Sequence, residues 1–240
     1  MQHSSSADVE YSAGGQQFTG YLAMPPSQPE YGVVVLHSWW GLTPFFREIC
    51  DRLSREGFAT FAPDLNHGQV AETIEQAKTL MSERDFNRTQ AAVLGSIEVL
   101  RGKLRSAAIA GTGLQVQPLG VVGFSMGASW ALVLASQAPE QISCAVLYYG
   151  VEGVDFSKVQ ASFLGHFAEA DEWTPIHWAQ QMESDMQEAG LEARFYSYPN
   201  VGHWFCETDR PEAYSPGPAR LAWERTLRFL HEHLDQRKDL

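Results

Sequence analysis

The stretch PLGVVGFSMGASWALVLA, residues 118–135, decides the fold. It opens with a short apolar run rich in valine, which is typical of a strand buried on both faces. The residues after it predict a helix over residues 125–138. Ser125 lies at the junction between Gly123 and Gly127, so it sits where a strand turns sharply into a helix. A serine at such a turn projects from the carboxyl edge of a parallel sheet.

Strand and helix patterns alternate along the rest of the chain. A Gly-Gly turn predicts a hairpin over residues 9–25, and the later predicted strands are 32–37, 58–62, 118–124, 142–149, 161–168 and 193–198. The predicted helices are 43–57, two segments within 69–104 that break near Asn87, 125–138, 174–190 and a C-terminal stripe of Trp223, Leu227, Leu230 and Leu234. This alternation predicts an α/β fold with a mostly parallel central sheet, helices on both faces and an N-terminal antiparallel hairpin.

Length and composition favour one globular domain. The chain has 240 residues, of which 44% are hydrophobic, and no convincing linker interrupts it. We expect a single domain over residues 1–240, with residues 1–6 as a flexible N-terminus.

The net charge and the cysteine content indicate the cellular compartment and argue against some classes of binding partner. The net charge of −12 argues against nucleic acid and anionic membrane surfaces as partners. The three cysteines, Cys50, Cys144 and Cys206, lack a disulfide-like spacing, which suits a reducing compartment. No secretory signal and no apolar run of the ~20 residues of a membrane span occur. We expect a cytoplasmic protein, either a monomer or a small homo-oligomer.

Two interpretations of Ser125 are open from the motif alone. It is either an ordinary serine at a helix N-cap or a nucleophile at a strand-to-helix elbow. A serine hydroxyl is a weak nucleophile until a histidine accepts its proton and a carboxylate orients that histidine. The presence or absence of such a histidine and carboxylate therefore decides between the two interpretations of Ser125.

Two later loops carry the partners, in the chain order serine, acid, histidine. Asp171 follows the strand at 161–168, and the competing acids are Glu169, Glu172 and Asp155. His203 follows the strand at 193–198, whereas the other downstream histidines lie in predicted helices: His177, His231 and His233. We therefore expect Ser125, Asp171 and His203 to form a catalytic triad.

The loop after the strand at 32–37 completes the expected site. An oxyanion hole needs two amides, and we expect Trp39 in this loop and Met126 after the serine to supply them. His37 is expected to brace the loop by hydrogen bonding. Side chains next to these positions suggest a substrate pocket lined by Ser38, Trp40, Phe124, Trp173 and Trp204.

These residues give the chain a resemblance to the dienelactone hydrolase family of α/β-hydrolases. The similarity spans nearly the whole chain and rests on LHSWWGL (36–42), FATFAPDLNHG (58–68), GFSMGAS (123–129), AEADEWTP (168–175) and YPNVGHWF (198–205). It implies the Ser125, Asp171 and His203 triad, and oxyanion amides from Trp39 and Met126. The family also binds a substrate carboxylate with arginines, for which the candidates here are Arg84, Arg88 and Arg210.

Two positions depart from the family pattern. Dienelactone hydrolases proper have a cysteine at the position of Ser125 and a glutamate at that of Ser38. A hydroxyl activated by histidine needs no neighbouring glutamate, so we expect an ordinary serine hydrolase that cleaves a small ester or lactone. The alternatives are a broad carboxylesterase or thioesterase, and a binding module without activity. No cofactor is expected, and no metal is expected because no Cys/His cluster occurs. Cys206 has no elbow around it, so we expect a bystander thiol.

Overall fold

The computed structural model describes residues 4–29, 31–107 and 118–235 of the chain. The chain divides into two compact units, residues 1–119 and residues 120–240. The prediction of one domain over the whole chain stays a prediction. Within the described ranges, every helix falls short of the length or the hydropathy that a bilayer crossing demands.

The N-terminal hairpin consists of β1 (Ser5–Ala13) and β2 (Gln16–Met24), paired antiparallel. Its turn is Gly14-Gly15, where φ is 56° and 75°, a conformation that glycine adopts without steric cost. The strand starts earlier than predicted, because Ser5 and Ser6 pair with the end of β2. Residues 1–3 lie outside the described part, and the flexible N-terminus expected over residues 1–6 stays a prediction.

The rest of the first unit surrounds two buried strands, β3 (Gly32–Leu36) and β4 (Ala59–Pro63). The strands of this unit lie in the order β1-β2-β4-β3, with β3 and β4 parallel. Helix α1 (Pro44–Arg55) begins with a proline in its first turn and ends before Gly57, as predicted. Thr43 is its N-cap residue, but the Thr43 side chain makes no capping hydrogen bond.

Two further helices of the first unit replace the predicted pair within residues 69–104. They are α2 (Ile74–Ser82), which starts with a capping box between Thr73 and Gln76, and α3 (Phe86–Ala107). The break falls at residues 83–85, near Asn87 as predicted. Asp85 marks the start of α3, since its carboxylate accepts the Arg88 amide.

The second unit contains four strands in the order β5-β6-β7-β8. They are β5 (Leu119–Phe124), β6 (Ile142–Tyr148), β7 (Ser162–Ala168) and β8 (Ala193–Tyr198). β6, β7 and β8 are parallel neighbours, so the loops that follow them meet at one edge. The helices are α4 (Met126–Gln137), α5 (Ile176–Glu188) and α6 (Pro216–Leu234), with a short 3-10 helix at Phe156–Lys158.

A buried polar cluster ties β6 and β7 to α6. His166 is fully buried, with Nδ1 2.9 Å from the Tyr198 hydroxyl and Nε2 3.1 Å from the Thr226 hydroxyl. Thr226 also contacts the Tyr148 hydroxyl at 2.7 Å. Because these buried polar groups have partners, they do not destabilise the core around them.

Candidate active site

Ser125 lies between β5 and α4 in a strained backbone conformation. Its φ is 52° and its ψ is −117°, in a region that non-glycine residues rarely adopt. Although Ser125 occupies the N-cap position of α4, its side chain makes no capping hydrogen bond. The N-cap interpretation therefore does not account for the serine, and its hydroxyl is available for another partner.

Close packing of backbone around the elbow explains its glycines. A Cβ atom on Gly123 would overlap with the carbonyl of Gly127, in the first turn of α4. A Cβ atom on Gly150, at the end of the neighbouring strand β6, would overlap with the Ser125 carbonyl. Sequence reasoning did not single out Gly150. Its only signal was its position directly after a predicted strand.

The structure brings the three predicted catalytic residues together in one hydrogen-bonded series. Ser125 Oγ lies 2.8 Å from His203 Nε2, and His203 Nδ1 lies 2.7 Å from Asp171 Oδ2. The other oxygen of Asp171 accepts the backbone amides of Trp173 and Thr174, each at 2.8 Å. Because the carboxylate accepts a hydrogen bond from the Nδ1–H group, Nε2 carries no proton and is left to accept the serine proton.

The competing acids lie elsewhere. Asp155 is exposed, where it caps the 3-10 helix and pairs with Lys158. Glu169 is also exposed, with Ser197 as its hydrogen-bond partner, and Glu172 is exposed. The side chain of Asp171, in contrast, is fully buried against His203.

The predicted helical histidines also lie apart from this series. His177 is in α5, and His231 and His233 are in α6. His233 contacts Glu192 at 3.1 Å. Their helical positions agree with the sequence prediction.

Aromatic rings surround His203 within the second unit. The Trp204 ring stands perpendicular to the imidazole, with centroids 4.9 Å apart, and Trp173 lies 5.7 Å from Trp204. Trp173 is 39% exposed, so its ring presents an apolar surface to solvent, whereas Trp204 is buried. Phe124, by contrast, is buried and stacks on Tyr148 at 4.4 Å, which makes it a core residue.

The loop after β3 is held in place from within the first unit. His37 Nδ1 lies 2.7 Å from the Ser38 carbonyl, and Nε2 accepts the Leu65 amide at 2.9 Å. Asn66 also donates to the Trp39 carbonyl at 3.2 Å. Burial lowers the pKa of His37 to about 4, so the ring stays neutral and braces this loop, as predicted.

The amides expected to form the oxyanion hole remain predictions. Met126 is the first residue of α4, so its amide lies at a helix N-terminus, where backbone N–H groups lack intrahelical acceptors. Trp39 lies in the braced loop of the first unit, together with Ser38 and Trp40, both of which are buried. The assignment of these three loop residues to the site also stays a prediction.

The three arginines considered for binding a substrate carboxylate have different contacts. Arg84 donates to the Asn66 side chain and, together with Arg88, lines a cavity of about 170 Å³ in the first unit. Burial lowers the pKa of Arg84 to about 10. Arg210 follows β8 in the second unit, where its amide donates to the Glu207 carbonyl. Their role in binding a carboxylate stays a prediction.

Two residues near His203 were not predicted from the sequence. Tyr149, at the end of β6, has its ring centroid 4.9 Å from that of His203, and its hydroxyl donates to Glu207 at 3.0 Å. Glu207 is fully buried. No pattern in the sequence marks a buried carboxylate in this loop, and Cys206 beside it is a buried thiol outside any disulfide.

A serine elbow followed by an acid and a histidine after successive strands is the arrangement of the α/β-hydrolases. The chain has this fold, which confirms the predicted fold class. A dienelactone hydrolase from Anabaena variabilis superposes with a TM-score of 0.69 and 20% identity, covering 96% of this chain and 99% of that one. Residues 18–234 match the dienelactone hydrolase family, and the chain belongs to that family of hydrolases.

Individual relatives cover nearly the same length. The protein usf of Aquifex pyrophilus is 29% identical over 235 residues, which span 94% of this chain and 98% of that protein. The carboxymethylenebutenolidase of Rhodococcus opacus is 26% identical over 214 residues, which span 84% of this chain and 81% of that protein.

Among the described residues of this chain, no group of three acidic, histidine or cysteine side chains is arranged to hold a metal ion.

Proposed function

We propose that this chain is a serine hydrolase that cleaves a small carboxylic ester or lactone through an acyl-Ser125 intermediate. The observation that carries the proposal is the hydrogen-bonded series from Ser125 through His203 to Asp171. Family membership supports the same chemistry, because relatives include proteins named carboxymethylenebutenolidase and dienelactone hydrolase.

In the first half of the cycle, Ser125 Oγ attacks the carbonyl carbon of the substrate and forms a C–O bond. The serine proton passes to His203 Nε2, and the carbonyl oxygen becomes an oxyanion. Asp171 stabilises the imidazolium that results. The Met126 amide, at the positive end of α4, donates a hydrogen bond to the oxyanion.

In the second half, the tetrahedral intermediate collapses. The bond to the leaving alkoxide breaks, and His203 returns its proton to that oxygen; in a lactone, the alcohol stays attached to the acyl group. Water then attacks the acyl carbon while His203 Nε2 accepts its proton. The bond from the acyl carbon to Ser125 Oγ breaks, His203 returns the proton to Oγ, and the acid is released.

The aromatic pair Trp173 and Trp204 supplies an apolar wall beside His203. We infer that this wall contacts the apolar part of a small substrate, which loses water-exposed surface there. The proposed pocket does not include Phe124, because its ring is buried in the core.

The nucleophile favours a second candidate. The residue at the elbow is serine, whereas the dienelactone hydrolases that the sequence resembles carry cysteine there. A serine with a histidine base also suits a broad carboxylesterase or thioesterase that acts on open-chain substrates. Comparing kcat/KM for a series of lactones with that for nitrophenyl acetate and an acyl thioester separates the two candidates.

A fluorophosphonate probe tests the proposed function directly. The probe is expected to form one adduct per chain on Ser125, located by mass spectrometry of peptides, and to abolish ester turnover. Ser125→Ala is expected to lose both labelling and turnover while its circular dichroism stays that of the wild type. An adduct absent from Ser125, or turnover retained in Ser125→Ala, contradicts the proposal.

A further inference from the structure

Tyr149 has a strained backbone directly after β6. Its φ is 40°, which bulky residues seldom adopt. Two contacts hold it in place: its amide donates to the His166 carbonyl at 2.8 Å, and its carbonyl accepts the Thr174 hydroxyl at 3.1 Å. Strained residues persist where the surroundings over-determine them, and they cluster at functional sites. The position of the Tyr149 side chain is therefore closely defined.

The Tyr149 side chain lies between His203 and a buried carboxylate. Its ring packs against the imidazole, and its hydroxyl donates to Glu207 Oε1 at 3.0 Å. Both Tyr149 and Glu207 are fully buried. The ring thus has one face occupied by His203 and its hydroxyl tied to Glu207.

A buried carboxylate is costly, since removal of its charge from water must be offset by hydrogen bonds or charge partners. Replacement of buried charged groups by apolar side chains of similar size is often neutral or stabilising, so packing alone does not account for a carboxylate at this place. Glu207 belongs to the same loop as His203, and its amide donates to the Trp204 carbonyl at 2.8 Å. This placement connects the carboxylate to the catalytic histidine through the loop and through Tyr149.

We propose that Glu207 is a positioning residue for His203. Through the Tyr149 hydroxyl it fixes the ring against which the imidazole packs, and its charge favours the imidazolium that forms when Nε2 accepts the Ser125 proton. This role rests on the proposed serine hydrolase function. Among the described residues of the second unit, the ionisable side chains that accompany His203 include Asp171 on Nδ1 and Tyr149 on the ring. Those on the same loop are Cys206, Glu207, Asp209 and Arg210.

The test is the pH dependence of kcat/KM for a nitrophenyl ester in Glu207→Gln. The acidic limb reports protonation of the free enzyme's base, which is His203 in the proposed function. Loss of a nearby negative charge makes the imidazolium less favourable, so the limb is expected to move to lower pH by about 0.5–1 unit. On the plateau, kcat is expected to fall about 3- to 10-fold.

Tyr149→Phe and Tyr198→Phe form a matched pair of variants. Tyr149→Phe keeps the ring beside His203 but loses the tie to Glu207, so kcat is expected to fall by a few-fold. Tyr198→Phe removes another buried hydroxyl of the same unit, one that contacts His166 and Arg225. It is expected to keep the wild-type pH profile and kcat.

A folded Glu207→Gln variant that labels fully with the fluorophosphonate probe, yet has the wild-type pH profile and kcat, overturns the proposal. If Glu207→Gln does not fold, Tyr149→Phe decides, and wild-type kcat in that variant overturns it. Failure of the proposed function looks different, because the wild-type protein would then show no ester turnover and no adduct on Ser125.

Discussion

Gly150 lies so close to the backbone carbonyl of Ser125 that a Cβ atom on Gly150 would overlap with that oxygen. The two residues follow β5 and β6, and the Ser125 amide donates to the Tyr148 carbonyl at 2.8 Å. The end of β6 and the residues directly after it therefore contact the backbone of the serine elbow. The strained conformation of Ser125 requires that residue 150 has no side chain.

Gly150→Ala is expected to lower the free energy of unfolding by about 2 kcal/mol or more, because the new methyl group meets backbone that has little room to move. Ester turnover is expected to fall with it, since a shift of the elbow displaces Ser125 from His203. Urea unfolding and kcat measure the two effects. Gly153→Ala is the control, because a Cβ there meets no atom within 4 Å. Equal stability of the two variants would contradict this account of the elbow.

Asp171→Asn is expected to keep the fold and to lower kcat about 10⁴-fold, because an amide at this position holds the imidazole in the wrong tautomer. With the proton on Nε2, His203 can no longer accept the proton of Ser125. The measurement is kcat for a nitrophenyl ester, with circular dichroism as the check on folding. Glu169→Gln, which changes an exposed acid two residues away, is expected to retain wild-type kcat.

Ser125→Gly and Ser125→Ala are both expected to be inactive, but they should differ in stability. At φ 52° and ψ −117°, alanine retains the steric strain of the serine, whereas glycine relieves it. We expect the glycine variant to be more stable than the alanine variant by about 1 kcal/mol in urea unfolding. The opposite order, which is usual where φ is negative, would show that the elbow backbone is relaxed.

His166 predicts a loss of stability in acid. Burial lowers the pKa of His166 to about 3 from its ordinary value of 6.5. Between these pH values the unfolded chain binds a proton that the folded chain does not, so stability falls as pH is lowered from 6.5 toward 3. Between pH 7 and pH 5, the titration of His166 alone is expected to lower the free energy of unfolding by about 2 kcal/mol.

His166→Gln tests the assignment of this acid sensitivity. Glutamine can keep a hydrogen bond to Tyr198 or Thr226 but does not titrate. The free energy of unfolding in urea is measured at pH 7 and pH 5 for both proteins. Its decrease from pH 7 to pH 5 is expected to be smaller by about 2 kcal/mol in the variant than in the wild type. An identical loss in both proteins would assign the sensitivity to other groups.

The sequence alone determined the elements and their chemistry. Apolar runs bounded by glycine, proline and acids predicted β3 to β8 within one or two residues, because strand burial and turn residues are local properties of the chain. The motif around Ser125, and the positions of Asp171 and His203 after successive strands, nominated the site for the same reason. The start of the hairpin was less well predicted, since β1 begins at Ser5 rather than at residue 9.

Only the tertiary structure decided which side chains meet. The loops after β7 and β8 converge at one edge of parallel strands, and there the buried Asp171 contacts His203, whereas Glu169 and Asp155 are exposed. The same convergence places Gly150 against Ser125, and Tyr149 between His203 and Glu207. These contacts join residues far apart in the chain, and no local pattern of hydropathy or spacing encodes which distant partner will fill the space beside them.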